Sequence, residues 1–294
     1  MAGEPRHAEA LGTFQGASGE ILNLHAVHGP TPSPERTGVG SACWAMEPAW
    51  RALLVRYGDR VRVRHVLGGL LSSWDEFVGD PGAGIYGLGD VASHWDQVAA
   101  STWQPIDSSV WRTDPIPSTY PACQATVAAR LLDPAMEARY LRRLREAVFV
   151  EARNIARPEV LLEAAEDIGL DRSAMEDKLR DGTAAREFSA DLELVRTLNA
   201  PAMPTVVVRS GDQQLRLVAT QPYRRLEQVL LALTDWDPVN FIPTLEEALA
   251  MYGRGTTREF AELLGIDLAT TREQLEAAGA VARVVGNDFI WSWR

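Results

Sequence analysis

Two groups of strand-like segments, held far apart in the chain, constrain this sequence more than any other feature. The first group is "EILNLHAVHG", where Ile21, Leu22 and Leu24 sit among polar residues before Gly29-Pro30, and "RVRVRHVLGG", where Val61, Val63 and His65 alternate with arginines up to Gly68-Gly69. Between them Trp44, Trp50, Leu53, Leu54 and Tyr57 fall at helical spacing from Cys43 to a stop at Gly58. The second group is "PTVVVRS" and "QQLRLVAT", joined around Gly211-Asp212 and followed by the helical "YRRLEQVLLAL". Strands of this length are stable only within a larger sheet, so both groups are expected to share one. The result is an α/β fold made of a βαβ half and a ββα half. Everything from Ser73 to Asn199 is then an insertion. Its segments, such as "YPACQATVAARLL" and "EARYLRRLREAVFVEARNI", carry apolar residues every three or four positions, with helix starts at Asp90, Pro121 and Pro158.

This order divides the chain. Residues 1–18 read as a flexible tail, 19–72 together with 200–233 as the sheet domain, 73–199 as the helical insertion, and 234–294 as a C-terminal unit. In that unit "TLEEALAMYG", "TTREFAELLGI" and "TTREQLEAAGAV" predict three short helices, each begun by Thr, ahead of a hairpin turning at Gly286-Asn287-Asp288. Three helices and a β-wing are winged-helix-like, but charge speaks against a DNA role. From Asp235 to Arg294 there are ten acidic residues and five arginines, and "TTREQLEAAG" has one arginine against two glutamates. The whole chain carries a formal charge of −11 with a pI near 5.0, so neither nucleic acid nor an anionic membrane is an expected partner. No apolar run reaches membrane length and the first residues form no export signal. Two cysteines among 294 residues make no disulfide framework, and with no export signal a reducing cytoplasm is the expected location.

The stretches "CWAMEPAW", "VRHVLGGLLSSW", "VWRTDPIPSTYPACQATVAA", "LRRLREAVFVEARNIARPEVL" and "MPTVVV" occur in an order that resembles the DsbA-like proteins of the FrnE and Spx-adaptor branch. That resemblance implies a thioredoxin-like fold with a large helical insertion, and the C-terminal winged-helix-like extension is similar to tails on some members. It also implies a helix beginning C-x-x-C-W, faced by a proline in cis. On this chain Cys43-Trp44 matches the second cysteine and its tryptophan, Glu47-Pro48 the helix kink, and Met203-Pro204-Thr205 the cis-proline loop. The first cysteine falls on Gly40.

Thiol–disulfide exchange needs one thiolate to attack and a second to resolve the mixed disulfide. The attacking thiolate is activated by the helix N-terminus, whereas the second thiol lies a turn deeper against the core. Cys43 holds the deeper place, so it is expected to be a small packed hydrophobe first and a catalytic residue second. Ser41 is the other catalytic candidate. Related glutathione-using isomerases and transferases place a serine near this position, which makes glutathione the one ligand of that kind to consider; the simpler reading is an N-cap. The loop from Gly29 to Ala42, stiffened by Pro30, Pro32 and Pro34, suggests remodelling for another ligand.

An X-Pro bond held cis exposes the backbone of Met203, which can pair with an extended peptide without any cysteine. Gly40, Trp44, Trp74, Met203, Pro204 and Thr205 are therefore the candidate partner-binding residues. The leading expectation is a protein that holds a peptide or protein partner at the cis-proline groove. An enzyme acting on a thiol-containing small molecule or a cysteine-bearing peptide, and a monothiol oxidoreductase using Cys43, are the alternatives. No cofactor is expected. His25, His28 and Cys43 fit no usual metal spacing. Cys123 reads as a packed thiol, able to reach Cys43 only if the insertion folds over the first helix. Trp44, Trp74, Trp95, Trp103 and Trp111 read either as core or as the lining of an apolar cleft. "RYLRRLREA" reads as a solvated helix face with local ion pairs.

Overall fold

In a computed structural model of the chain, residues 19–25 and 40–293 are described, and within the first strand only the Ile21 side chain is. The expected tail and most of the proline-rich loop lie outside the described residues. The central sheet has the order β2-β1-β3-β4, with β1 at Gly19–His25, β2 at Val61–Leu67, β3 at Thr205–Ser210 and β4 at Gln213–Val218. β1 runs parallel to β2 and antiparallel to β3, which sets Ile21 opposite both Val63 and Val208. The two distant groups of strands thus meet in one sheet. Thr205 to Val208 are buried in an unbroken run, as a strand covered on both faces requires, whereas Gln213 to Arg216 on the edge strand β4 are exposed.

One face of the sheet packs against two helices, α2 (Glu47–Tyr57) and α10 (Tyr223–Leu233). Met46, Trp50, Leu53 and Tyr57 meet Ile21, Val206 and Val208 there, with Leu226 and Leu230 closing the layer. The other face is closed by α9 (Thr183–Thr197), the last helix of the insertion, whose Leu194 and Val195 pack with Val66 and Val207. The insertion is built on α5 (Tyr120–Leu132), which buries Ala122, Cys123, Ala125, Val127, Ala128 and Ala129. A helix this short-chained and apolar on most sides belongs in the middle of a bundle. Against it pack α6 (Glu137–Arg145), α7 (Pro158–Asp167), α8 (Arg172–Arg180) and α9, while α3 (Val91–Thr102) and α4 (Val110–Thr113) complete the insertion.

α6 corrects one expectation. Its "RYLRRLREA" stretch is not a solvated face: Arg145 is 3% exposed and Arg142 reaches carboxylates far away in sequence. The C-terminal unit comprises α11 (Leu245–Tyr252), β5 (Arg254–Thr256), α12 (Thr257–Leu264), α13 (Leu268–Ala277), β6 (Val281–Val285) and β7 (Asp288–Ser292), with a sheet in the order β5-β7-β6. Thr244 and Thr256 cap α11 and α12, each in a reciprocal capping box with Glu247 and Glu259. The third helix starts earlier than its threonines suggest, because the Asp267 carboxylate accepts from Ala269 N and Thr270 N.

The wing does not project freely. Asn287 Nδ2 donates to Ala99 O at 3.0 Å, Arg283 Nη2 donates to Val150 O at 2.8 Å, and Val285 and Ile290 belong to the insertion's core. Gly286, at φ 50°, lies so close to Ile106 that a Cβ would sit 2.2 Å from its carbonyl oxygen. Gly286→Ala is therefore expected to cost about 2 kcal/mol, from strained positive φ together with a backbone clash that cannot relax. A urea unfolding curve measures it, and a change below ~0.5 kcal/mol would show that the wing tip is loosely held.

Between the sheet and the insertion lies a group of buried charges. Arg130 Nη1 reaches Glu137 at 3.1 Å and Asp191 at 3.2 Å, and Asp191 accepts from Leu67 N at 3.2 Å. Burial pushes Glu137 up to about 7 against the opposing charge of Arg130. Nearby His65 is pushed down to about 3 by burial and then by the charges of Arg145 and Arg130. The two effects have opposite signs. Between pH 4.5 and 7 the folded state holds a proton on Glu137 that the unfolded state releases, so stability from this group falls as pH rises. Between pH 3 and 6.5 the unfolded state protonates His65 and the folded state does not, so stability from this group rises with pH. They offset each other from pH 4.5 to 6.5, and the rise that remains toward pH 6.5 comes from His94, which burial also holds below its ordinary value. Glu137→Gln should uncover the His65 limb as a gain of about 2 kcal/mol across that window, read from urea midpoints at several pH values. A variant profile no steeper than the parent's would refute the assignment.

Candidate functional site at the helix mouth

The helix expected to carry the reactive thiol is split in two. α1 (Ser41–Ala45) ends at Met46 and α2 begins at Glu47, with Pro48 in its first turn. Pro48 has no N–H to give to Trp44 O, so the helix is re-started at this point. Gly40 occupies the N-cap and Ser41 is the first helical residue, with no side-chain cap at all. The N-cap reading of Ser41 is thereby corrected. Its hydroxyl is buried and has no hydrogen-bond partner among the described residues.

Consecutive residues on α1 face different parts of the molecule. Cys43, 1% exposed, turns to the sheet and packs with Val66, Leu70, Met203 and Val207. Trp44, fully buried, turns into the insertion, where its ring stacks on Phe149 at 5.6 Å and Nε1 donates to Pro105 O at 2.9 Å. The insertion therefore does fold over the first helix. Cys123 is nevertheless packed in the insertion core with Tyr120 near it, while Cys43 belongs to the core beneath the sheet.

The Met203–Pro204 peptide bond is cis. The loop is tied to the helix mouth through its neighbours: Pro204 O accepts from Ala219 N at 2.8 Å, and Thr220 Oγ1 donates to Ala42 O at 3.1 Å. Thr205 Oγ1 donates to Ala202 O at 2.5 Å. Gly40, Met203, Pro204 and Thr205 are all buried, so the structure gathers these candidates at one place but does not present them as an open trough. Trp74 is elsewhere. Half-buried, it donates Nε1–H to Ile116 O at 2.9 Å and meets Trp111 edge-on at 6.1 Å. Trp111 in turn meets Trp95 at 5.2 Å, and Trp95 meets Phe149 at 4.7 Å. Four of the five early tryptophans thus form one packed aromatic series with Phe149. The exception is Trp103, 50% exposed, on the wall of a cleft of about 820 Å³ beside α1 and α2. His28 and the His25 side chain lie outside the described residues, and no group of three metal-ligating side chains occurs among the described ones. No helix among them is long and apolar enough to cross a membrane.

Behind the mouth is a dense buried ion network that the sequence did not disclose. Arg142 Nη1 lies 2.5 Å from Glu259 Oε1 and 3.5 Å from Glu47, its Nε lies 2.8 Å from Glu146, and its guanidinium stands 4.6 Å above the Trp44 ring. Arg145 pairs with Glu47, Arg51 with Glu259 at 3.2 Å, and Arg254 with Glu146 at 3.3 Å. Burial would raise the Glu259 carboxyl, but Arg142 and Arg51 overcome this and hold it at about 2. α2, α6 and α12 are thereby joined by charge at their common junction. The only signal in the sequence was the cluster of arginines in α6, whose partners lie 95 and 117 positions away.

A thioredoxin-type sheet with a cis-proline loop and a buried cysteine on its first helix define a thioredoxin-fold protein. A family model described as thioredoxin matches residues 38–228, and the chain belongs to that family, in its DsbA-like form. Among characterised relatives, the ClpXP adapter protein SpxH of Halalkalibacterium halodurans is 28% identical over 80% of this chain and 78% of its own length. SpxH of Shouchella clausii is 29% identical over 85% and 84%. Among solved structures, the cytosolic disulfide reductase DsbM of Pseudomonas aeruginosa superposes with a TM-score of 0.56 at 22% identity, covering 73% of this chain and all of that one.

Proposed function

We propose that this protein is an adaptor: a DsbA-like scaffold that has given up dithiol exchange and holds a protein partner at the helix-mouth end of the molecule, in the cytoplasm. One observation carries the reading. By the order of the motifs Gly40, the N-cap of α1, falls where the attacking cysteine is expected, and the remaining Cys43 is 1% exposed among aliphatic side chains. A sulfur so placed cannot both seize a disulfide and pass it on. The similarity to proteins named ClpXP adapter supports the same class of role, in which the partner is a protein.

The test is purification of tagged protein from its native cells. A stoichiometric protein partner should come with it, survive reducing agent, and be retained by Cys43→Ala. Catalytic reduction of insulin that disappears in Cys43→Ala would instead show a working monothiol oxidoreductase and overturn the adaptor reading.

A second reading is kept for one reason, the buried Ser41 hydroxyl that has no hydrogen-bond partner among the described residues. Such a group at a helix mouth suits a thiol-bearing small molecule such as glutathione. Retention on glutathione-agarose, lost in Ser41→Ala, is what this reading requires.

A further inference from the structure

The cleft beside the mouth is assembled from all three parts of the chain. Its floor is Ala45, Pro48 and Ala49 of α1 and α2, one wall is Trp103 at the end of α3, and the facing wall is Ala261 of α12 with Ile266 and Leu268 at the turn into α13. Its volume of about 820 Å³ suits a few side chains of a partner.

Trp103 is the informative residue. It caps α3 in the left-handed region, at φ 59° and ψ 16°, where glycine or asparagine is the comfortable choice. The strain has a visible cause. The next residue, Gln104, is fully buried and clamped at both ends of its amide: Nε2 donates to Glu259 Oε1 at 3.0 Å and Oε1 accepts from Thr256 Oγ1 at 2.8 Å. Pulling Gln104 into the ion network throws residue 103 outward. A bulky indole in that position gains little from folding, since half of it stays in water. The facing loop repeats the pattern, with Ala219 at φ 65° just before Thr220 to Pro222, which also line the cleft. Strained backbone on two walls of one concavity is typical of sites that hold something.

Charge narrows the occupant. Arg258 and Glu262 in the wall neutralise each other at 2.6 Å. Asp267, on the rim, bonds only to backbone N–H groups and the Thr270 hydroxyl, and has no ion pair among the described residues. The chain around it carries a net charge of −11. We propose that this cleft is the docking site for a partner segment that inserts a bulky aromatic or branched aliphatic side chain against Trp103 and carries arginine or lysine beside it, toward Asp267. The proposal deepens the adaptor reading and rests on it.

The probe is a phage-displayed library of random dodecapeptides panned on the whole protein. Enriched peptides should combine a large apolar residue with flanking Arg or Lys, and synthetic copies should bind in a fluorescence-anisotropy titration. Two variants then decide the site. Trp103→Gly replaces a strained indole with the residue that conformation favours, so its melting temperature should stay within a few degrees of the parent while affinity falls at least tenfold. Ala269→Trp, at an exposed position on the rim, should block the cleft to the same degree. A large stability loss in Trp103→Gly with affinity kept would make Trp103 structural and overturn the proposal. So would enriched peptides with acidic flanks, peptides whose binding ignores both variants, or no enrichment at all. In each of those cases a partner recovered from native cells would still uphold the adaptor reading, so the two can fail separately.

Discussion

Arg142→Met should lower stability by about 3–5 kcal/mol, a large part of what an ordinary domain possesses. Among the described residues, Arg142 is the one cation in contact with all three buried carboxylates of the network, Glu47, Glu146 and Glu259. Methionine preserves most of the volume and the apolar stem, so the loss would be electrostatic rather than steric. Arg51, Arg145 and Arg254 would remain, one for each carboxylate, but none could replace the paired hydrogen bonds from Arg142 to both oxygens of Glu259. Leaving a carboxylate buried with half its donors gone is what makes such a truncation expensive, even where the intact pair contributes little net stability. An exposed control separates the two situations. Arg180, 64% exposed and paired with Glu176 and Asp177 on its own helix, should tolerate the same substitution within ~1 kcal/mol. Because the lost bonds bridge α6 to α12, Arg142→Met should also loosen the C-terminal unit first. Limited proteolysis would then cut between α10 and α11 at denaturant concentrations where the parent is intact. Equal costs for Arg142→Met and Arg180→Met, with no new cleavage, would mean that the network is ornamental and the units are held by apolar contacts alone.

Much of the fold was legible because it rests on local periodicity. The alternation in "RVRVRHVL" and the apolar run in "PTVVV" specify an edge strand and a central one, and both are where the sheet needs them. Likewise Met203-Pro204 could be read as a cis-proline loop because the motif order supplied the alignment. What stayed hidden depends on partners remote in sequence. The α6 arginines satisfy every rule for a solvated amphipathic face, and nothing near them reveals that Glu47 and Glu259 will be folded onto that face. His65 continues the strand alternation like any inward residue, but its neighbours Arg130 and Arg145 come from two helices of the insertion. Ser41 and Thr270 both looked like caps from type and position; the chain instead used Gly40 and Asp267, one residue and three residues earlier. Trp103 could not be told from its four packed counterparts. Only the pull on Gln104 sets it apart.

Trp44 is where a motif-based and a structural account of the site give opposite results. A tryptophan beside the thiol invites the reading that it touches the partner, yet it is fully buried. Trp44→Ala should therefore cost about 3–5 kcal/mol, as large-to-small changes of buried aromatic side chains do. Three terms combine. The indole leaves a cavity beside Phe149 in a layer that cannot easily close, because Phe149 is already packed against Trp95. The Pro105 carbonyl loses its donor inside the protein. The Arg142 guanidinium loses the aromatic face beneath it, a contact worth up to about 2 kcal/mol where water is excluded. The last term predicts coupling: Trp44→Ala and Arg142→Met together should cost about 1 kcal/mol less than the sum of the two alone, since either change destroys the same contact. Urea unfolding of the four proteins measures this directly. Partner binding, assayed below the variant's melting temperature, should survive Trp44→Ala. If the substitution left stability within ~1 kcal/mol and abolished binding, the tryptophan would be a contact residue, and the partner would have to reach into the core that α1 and the insertion close.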